Sequence, residues 1–121
     1  MTDKTIPIYR PFIDKIEEDL VNDCMKSTWI SSKGAYINKF EEQIKAYINA
    51  DYCTTTSSGT SALHLAMLAL NIGKDDEVIT TNFTYVASTN AILFVGAKPV
   101  FCNIRSEDLN IDIDSIERKI T

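Results

Sequence analysis

The sequence predicts an α/β protein, a mainly parallel sheet covered by helices on both faces, of which these residues supply an incomplete first part. Three observations carry that expectation. From residue 52 onward, β-branched apolar runs alternate with runs of helical period. Short connections between them demand parallel strands joined by right-handed crossovers. The strand runs are nearly continuous in apolar character instead of alternating, as in a sheet buried on both faces.

Taken in order, Ile13, Ile16, Leu20 and Cys24 recur at helical spacing and predict a helix from Ile13 to about Met25, with Pro11 suited to its start. Ser27 to Ala35, rich in Ser, Thr and Gly around the lone Trp29, reads as a loop. Ile37, Phe40, Ile44 and Tyr47 define a second helix ending near Asn49. This gives an N-terminal segment, residues 1–51, of two helices and a loop. Residues 52–121 then read as strand, helix, strand, helix, strand.

In that second part, Tyr52 to Thr56 is the first strand. A Ser57-Ser58-Gly59 turn leads into a helix, Thr60 to Leu70, apolar on nearly every side and hence expected to be buried. Gly73 is expected to close it in a left-handed conformation. Glu77–Thr81 is the second strand, Thr84–Val95 a second buried helix stopped by Gly96, and Pro99–Ile104 the third strand. Asp112 or Asp114 caps a last helix through Ile120. That helix stops at Thr121 with nothing to close the sheet's other edge, as expected for the front of a larger domain.

Composition excludes several functions. The 121 residues are 45% hydrophobic and 24% charged, as in an ordinary globular domain, and the net charge of -5 argues against nucleic acid. Met1 to Thr5 has no apolar leader core, and Ala62–Leu70 is too short to span a bilayer. Cys24, Cys53 and Cys102 lack metal or disulfide spacing and read as free thiols in a reducing cytoplasm.

Chemistry concentrates at two turns. Ser57-Ser58-Gly59-Thr60-Ser61 lies between a strand and a helix, where backbone N–H groups and the helix dipole favour an anion. Gly59 permits close approach, and the Thr60 and Ser61 hydroxyls add donors. The turn is neither a Walker loop nor a GxSxG elbow, and the same residues also suit simple N-capping. Tyr85 opens the next helix at the carboxyl end of a strand, the edge where open α/β sheets bind ligands. An aromatic there can stack on a flat ligand or pack in the core, and alone it decides neither. His64, the one histidine, has no triad or metal partner in the pattern and reads as packing.

Taken together, Ser27-Thr28-Trp29-Ile30-Ser31-Ser32-Lys33-Gly34, Phe40-Glu41, Ser58-Gly59-Thr60-Ser61-Ala62-Leu63, Asp76-Glu77-Val78-Ile79, Phe83-Thr84-Tyr85-Val86-Ala87-Ser88 and Gly96-Ala97-Lys98-Pro99-Val100-Phe101 resemble the DegT/DnrJ/EryC1/StrS family. These are aminotransferases dependent on pyridoxal 5′-phosphate (PLP) that act on nucleotide-activated sugars. The Ser27–Gly34 stretch is most similar to the GDP-perosamine synthase subgroup, which aminates C4 of a 4-keto-6-deoxy-mannose. The resemblance implies the N-terminal portion of a fold-type-I large domain, a three-layer αβα arrangement.

It further implies that Gly59, Thr60 and Ser61 hold the cofactor phosphate and that Tyr85 lies over the pyridine ring. Trp29, Ile30 and Ser31 border the site and receive the nucleotide sugar, although Trp29 also suits an anchor against the core. A homodimer, glutamate as amino donor and a product destined for surface polysaccharide such as O-antigen follow from the same likeness. The family's Schiff-base lysine has no counterpart here, because Lys33 and Lys98 stand where the family has no such residue. The resemblance therefore implies no catalytic residue in these 121 positions and no transamination by them alone. Two other readings are a non-catalytic remnant and a generic nucleotide-binding module. The latter wants an acidic residue after the strand, whereas Asp75, Asp76 and Glu77 precede it. Thr81-Asn82 and Lys74-Asp75 depart from the family's Pro-rich and Pro-Gly turns.

Overall fold

The computed structural model describes residues 6, 7 and 9–121; Met1–Thr5, read above for leader character, lie outside the described residues. The chain divides into an N-terminal unit ending at Thr54 and a second unit, Thr55–Thr121.

The N-terminal unit holds two helices. α1 spans Lys15–Ser27 and starts two residues later than its apolar spacing suggests, because Asp14 caps it. The Asp14 carboxylate accepts from the Ile16 N–H at 2.8 Å, and Glu17 accepts from the Asp14 N–H at 2.8 Å. This reciprocal box satisfies two N–H groups that the first turn leaves without helical acceptors. The bond from the Ile16 N–H, and after it a side-chain hydrogen bond with Glu17, hold the Asp14 carboxyl below its ordinary value. α2, Ala35–Ile48, follows Gly34 and ends at Asn49 in the left-handed region. Tyr36 donates to Asp23 at 2.9 Å, tying the helices together and raising its own pKa.

In the second unit α3 is Gly59–Ala69, β1 Glu77–Thr81, α4 Val86–Phe94, β2 Lys98–Cys102 and α5 Ile113–Glu117. β1 and β2 pair in parallel from Glu77↔Lys98 to Thr81↔Cys102, with α4 as the crossover. At the start of this register Lys98 donates to Glu77 at 2.6 Å. The core lies where α4 meets the sheet, at Ala91, Ile92, Ala97 and Cys102, all buried. Gly96 stops α4 as expected, at φ 81°, a conformation costly for a side chain.

Four expectations are corrected. Tyr52–Thr56 is not a strand: among the described residues the sheet has the order β1-β2, and this segment does not join that ladder. α3 is not buried, since Leu65, Leu68 and Leu70 are exposed; it packs on α4 but carries apolar residues on its other faces too. Asn71, not Gly73, takes the left-handed position after α3, and the Gly73 N–H instead donates to Asp76 at 2.8 Å. The last helix ends at Glu117, well before Ile120, although Asp112 caps it as expected.

β2 is also shorter than expected. Beyond it Ile104 bridges antiparallel to Ile111, closing a tight loop in which Asp108 accepts from Asn110 and Arg105. Bonds from the Asn110 side chain and backbone, more than the Arg105 charge, hold the Asp108 carboxyl below its usual range.

Candidate functional site

The helix-opening turn is built from its capping residue. Ser58 has extended backbone, so its side chain turns back over the first turn of α3 and its Oγ accepts from the Ser61 N–H at 3.2 Å. The two hydroxyls of Ser58 and Ser61 lie 3.1 Å apart. Thr56 braces the turn by donating to the Ser58 carbonyl at 2.9 Å. The Ser61 amide is thus engaged internally. The Gly59 and Thr60 amides open the helix, where N–H groups have no helical acceptor.

Gly59 is exposed, and a Cβ added there would meet nothing within 4 Å. No neighbouring protein atom demands glycine at this position. The space is open to an incoming group, and the Thr60 and Ser61 side chains flank it half-buried. A small anion fits this arrangement by its chemistry: two outward N–H groups, hydroxyl donors and the positive end of an eleven-residue helix.

Tyr85 sits at the N-cap of α4 and is 84% exposed. With Asn82, Phe83 and Thr84 it lines a hollow of about 360 Å³ beyond the carboxyl end of β1. Thr81 Oγ1 donates to the Phe83 carbonyl at 3.2 Å, and the Thr84 and Ser88 hydroxyls lie 3.1 Å apart, so the loop is pinned at both ends. The ring is free to meet a flat ligand. α3 and α4 pack on each other, and part of that packing is the edge-on contact of His64 with Phe94, centroids 5.6 Å apart. His64 therefore packs, as its isolation suggested.

Trp29, Ile30 and Ser31 belong to the N-terminal unit. Trp29 is 57% and Ile30 72% exposed, so Trp29 is not an anchor buried within its own unit. Ile30 borders a groove of about 660 Å³ between α1 and α2, whose walls include Leu20, Cys24, Met25 and Phe40. This larger cavity is mostly apolar, with Tyr36, Lys39 and Gln43 also on its walls and the Lys39 ammonium 5.7 Å from the Tyr36 ring centre. Lys98 is occupied by Glu77, and Lys33 follows Ser31 in the loop, its amide donating to the Ser31 hydroxyl at 3.4 Å.

Sequence reading allowed for capping at this turn, which Ser58 performs, and missed one feature. The burial of Gly34 beneath the Trp29 loop had no local signal, because it depends on how the loop folds back.

Residues 11–121 match the family described as the DegT/DnrJ/EryC1/StrS aminotransferase family. Over 118 residues the chain is 49% identical to a GDP-perosamine synthase of Escherichia coli O157:H7, covering 98% of this chain and 32% of that protein. An aminotransferase from Psychrobacter cryohalolentis superposes with a TM-score of 0.85 at 32% identity, over 92% of this chain and 28% of that one. NtdA from Bacillus subtilis, solved with bound cofactor PMP, superposes at 0.79 with 35% identity, over 86% and 24%. The chain thus spans about a third of the length of the curated relative it matches. Its mixed α/β arrangement is part of the fold-type-I aminotransferase architecture. Among the described residues no helix is long and apolar enough to cross a membrane.

Proposed function

The chain belongs to the DegT/DnrJ/EryC1/StrS aminotransferase family, and from that membership we propose that it supplies the cofactor-phosphate and ring-stacking elements of a PLP-dependent nucleotide-sugar aminotransferase. The substrate class we favour is a GDP-linked 4-keto-6-deoxy sugar, with glutamate as amino donor. The likeness to GDP-perosamine synthase supports it. The observation that carries the reading is the Ser58–Ser61 turn, with Gly59 facing open space at the start of α3.

PLP, when bound, acts as the electron sink that lets an amino group move between donor and keto-sugar. This chain's residues bind and orient it. The Gly59 and Thr60 amides take phosphate oxygens, and the Thr60 hydroxyl adds a donor beside them. The Ser61 amide joins by exchanging its 3.2 Å bond to Ser58 for one to the anion. Tyr85 covers one face of the pyridine ring and excludes water from it. Trp29, Ile30 and Ser31 receive the nucleotide sugar. An amine able to bond the cofactor aldehyde comes from outside these residues, since Lys33 is a loop residue and Lys98 a strand residue paired with Glu77. Assembly as a homodimer and work in the cytoplasm toward surface polysaccharide complete the reading.

The test is cofactor affinity, read by PLP absorbance on the full-length protein. Tyr85→Phe keeps the ring face and is expected to bind like the parent. Tyr85→Ala should weaken PLP by roughly threefold to tenfold, the value of a stacked aromatic at about 0.5–1.5 kcal/mol. Thr60→Val serves as the comparison at the phosphate end. A Tyr85→Ala protein that binds PLP as tightly as the parent removes Tyr85 from the site.

A further inference from the structure

In the N-terminal unit, Gly34 is the only described residue that is buried. Its surroundings explain why. A Cβ placed on Gly34 would lie 3.4 Å from the Trp29 carbonyl oxygen, 3.5 Å from that of Ser31 and 4.0 Å from Trp29 Cβ. The Gly34 N–H donates to the Ser31 carbonyl at 3.2 Å, and the Gly34 carbonyl accepts from Ile37 at 3.1 Å as α2 begins. One residue therefore joins the loop to the helix. Its backbone does not require glycine, since φ -70° and ψ 151° are open to any residue. What it requires is space. A methyl group just reaches contact, whereas a β-branched side chain extends about 1.5 Å further, into the two carbonyls.

We propose that Gly34 is a positioning residue for the substrate loop: it lets Trp29–Ser31 fold down onto the start of α2, and so holds the exposed Trp29 and Ile30 side chains in place for the nucleotide end of the sugar nucleotide. The proposal rests on the substrate reading above for the identity of the ligand, but not for the geometry. The folded-back loop brings its carbonyls inward to Gly34, which leaves its apolar side chains outward. Trp29 is largely exposed and Ile30 borders the apolar groove between α1 and α2, so the loop keeps its shape through Gly34, the Ile30 N–H bond to the Thr28 carbonyl at 3.0 Å and the bonds of Ser31.

Trp29 is the sole tryptophan of these 121 residues, so within them tryptophan fluorescence reports this loop. Gly34→Ala and Gly34→Val are compared in the full chain, with GDP as the probe. Alanine and valine are similarly poor capping residues, so any loss at the start of α2 is common to both and the difference between them is steric. Valine is expected to shift Trp29 emission and quenching by acrylamide and to weaken GDP roughly tenfold, a loss of about 1.4 kcal/mol, with far-ultraviolet circular dichroism equal to that of the alanine variant. Alanine should stay near the parent in both readouts. If valine and alanine behave alike in fluorescence and in GDP affinity, the proposal is overturned. A valine-specific emission change together with a parent that binds no GDP supports Gly34 as the loop's pivot and locates the failure in the substrate reading.

Discussion

The two units of the chain are ordered by different means. The second has a core of its own, with Ala91, Ile92, Ala97 and Cys102 buried between α4 and the β1–β2 pair and the Ser115 hydroxyl accepting from the Asn103 N–H at 3.0 Å. The N-terminal unit buries only Gly34 among its described residues and leaves Ile16, Val21 and Met25 exposed. Its order is written in local devices: the Asp14–Glu17 box, left-handed ends at Thr28 and Asn49, and the Tyr36–Asp23 bond. Helical stability in proteins comes mostly from packing an apolar face. The contrast therefore teaches that one unit answers to core substitutions and the other to caps.

The sharpest way to break this contrast is Ile92→Ala. Ile92 is 1% exposed at the centre of the core, and truncating a side chain so placed costs about 2–5 kcal/mol. Amide exchange should show protection lost across α4, β1 and β2 while α1 is unchanged. Equal loss in α1 would mean the two units unfold as one.

A smaller effect of opposite sign is expected at the turn before β1. Asp75 has φ 76°, a left-handed conformation that L side chains adopt at a cost. It is also the position where the chain departs from the family's Pro-Gly. Asp75→Gly should relieve the strain, and after the extra freedom glycine gives the unfolded chain, the net gain is about 0.5 kcal/mol. A rise in the melting temperature of the second unit checks it; a fall would show that the Asp75 side chain compensates locally.

The smallest effect belongs to the cap of α1, and it depends on pH. The Asp14 carboxyl is held below its ordinary value by the Ile16 bond and then by Glu17. A depressed carboxylate contributes stability above its unfolded pKa, about 3.9, and loses it as the pH falls through the folded value. Helicity of α1 should therefore decline on acidification through that range, and Asp14→Ala should remove most of the pH dependence attributable to the cap. A parent α1 with no pH response would remove the cap from the contrast.

Much of this was present in the order of residues alone. Helical periods located α1, α2 and α4, the apolar run Glu77–Thr81 located β1 without error, and Gly96 and Asp112 marked a stop and a start. The Ser-Gly-Thr-Ser turn and the Phe-Thr-Tyr loop were visible as short motifs, and their succession carried the family. Such features are local: a cap, a period or a stop is decided by residues within a turn or two, so the chain specifies them by itself. The tertiary structure alone decided what depends on distant neighbours. Tyr52–Thr56 has the residues of a strand but does not join the β1–β2 ladder, and α3 has the residues of a buried helix but packs mainly on α4. Gly34 looked like an ordinary loop glycine until the Trp29 and Ser31 carbonyls closed over it. Ladders and burial are properties of pairs of segments, and no one segment's sequence contains its partner.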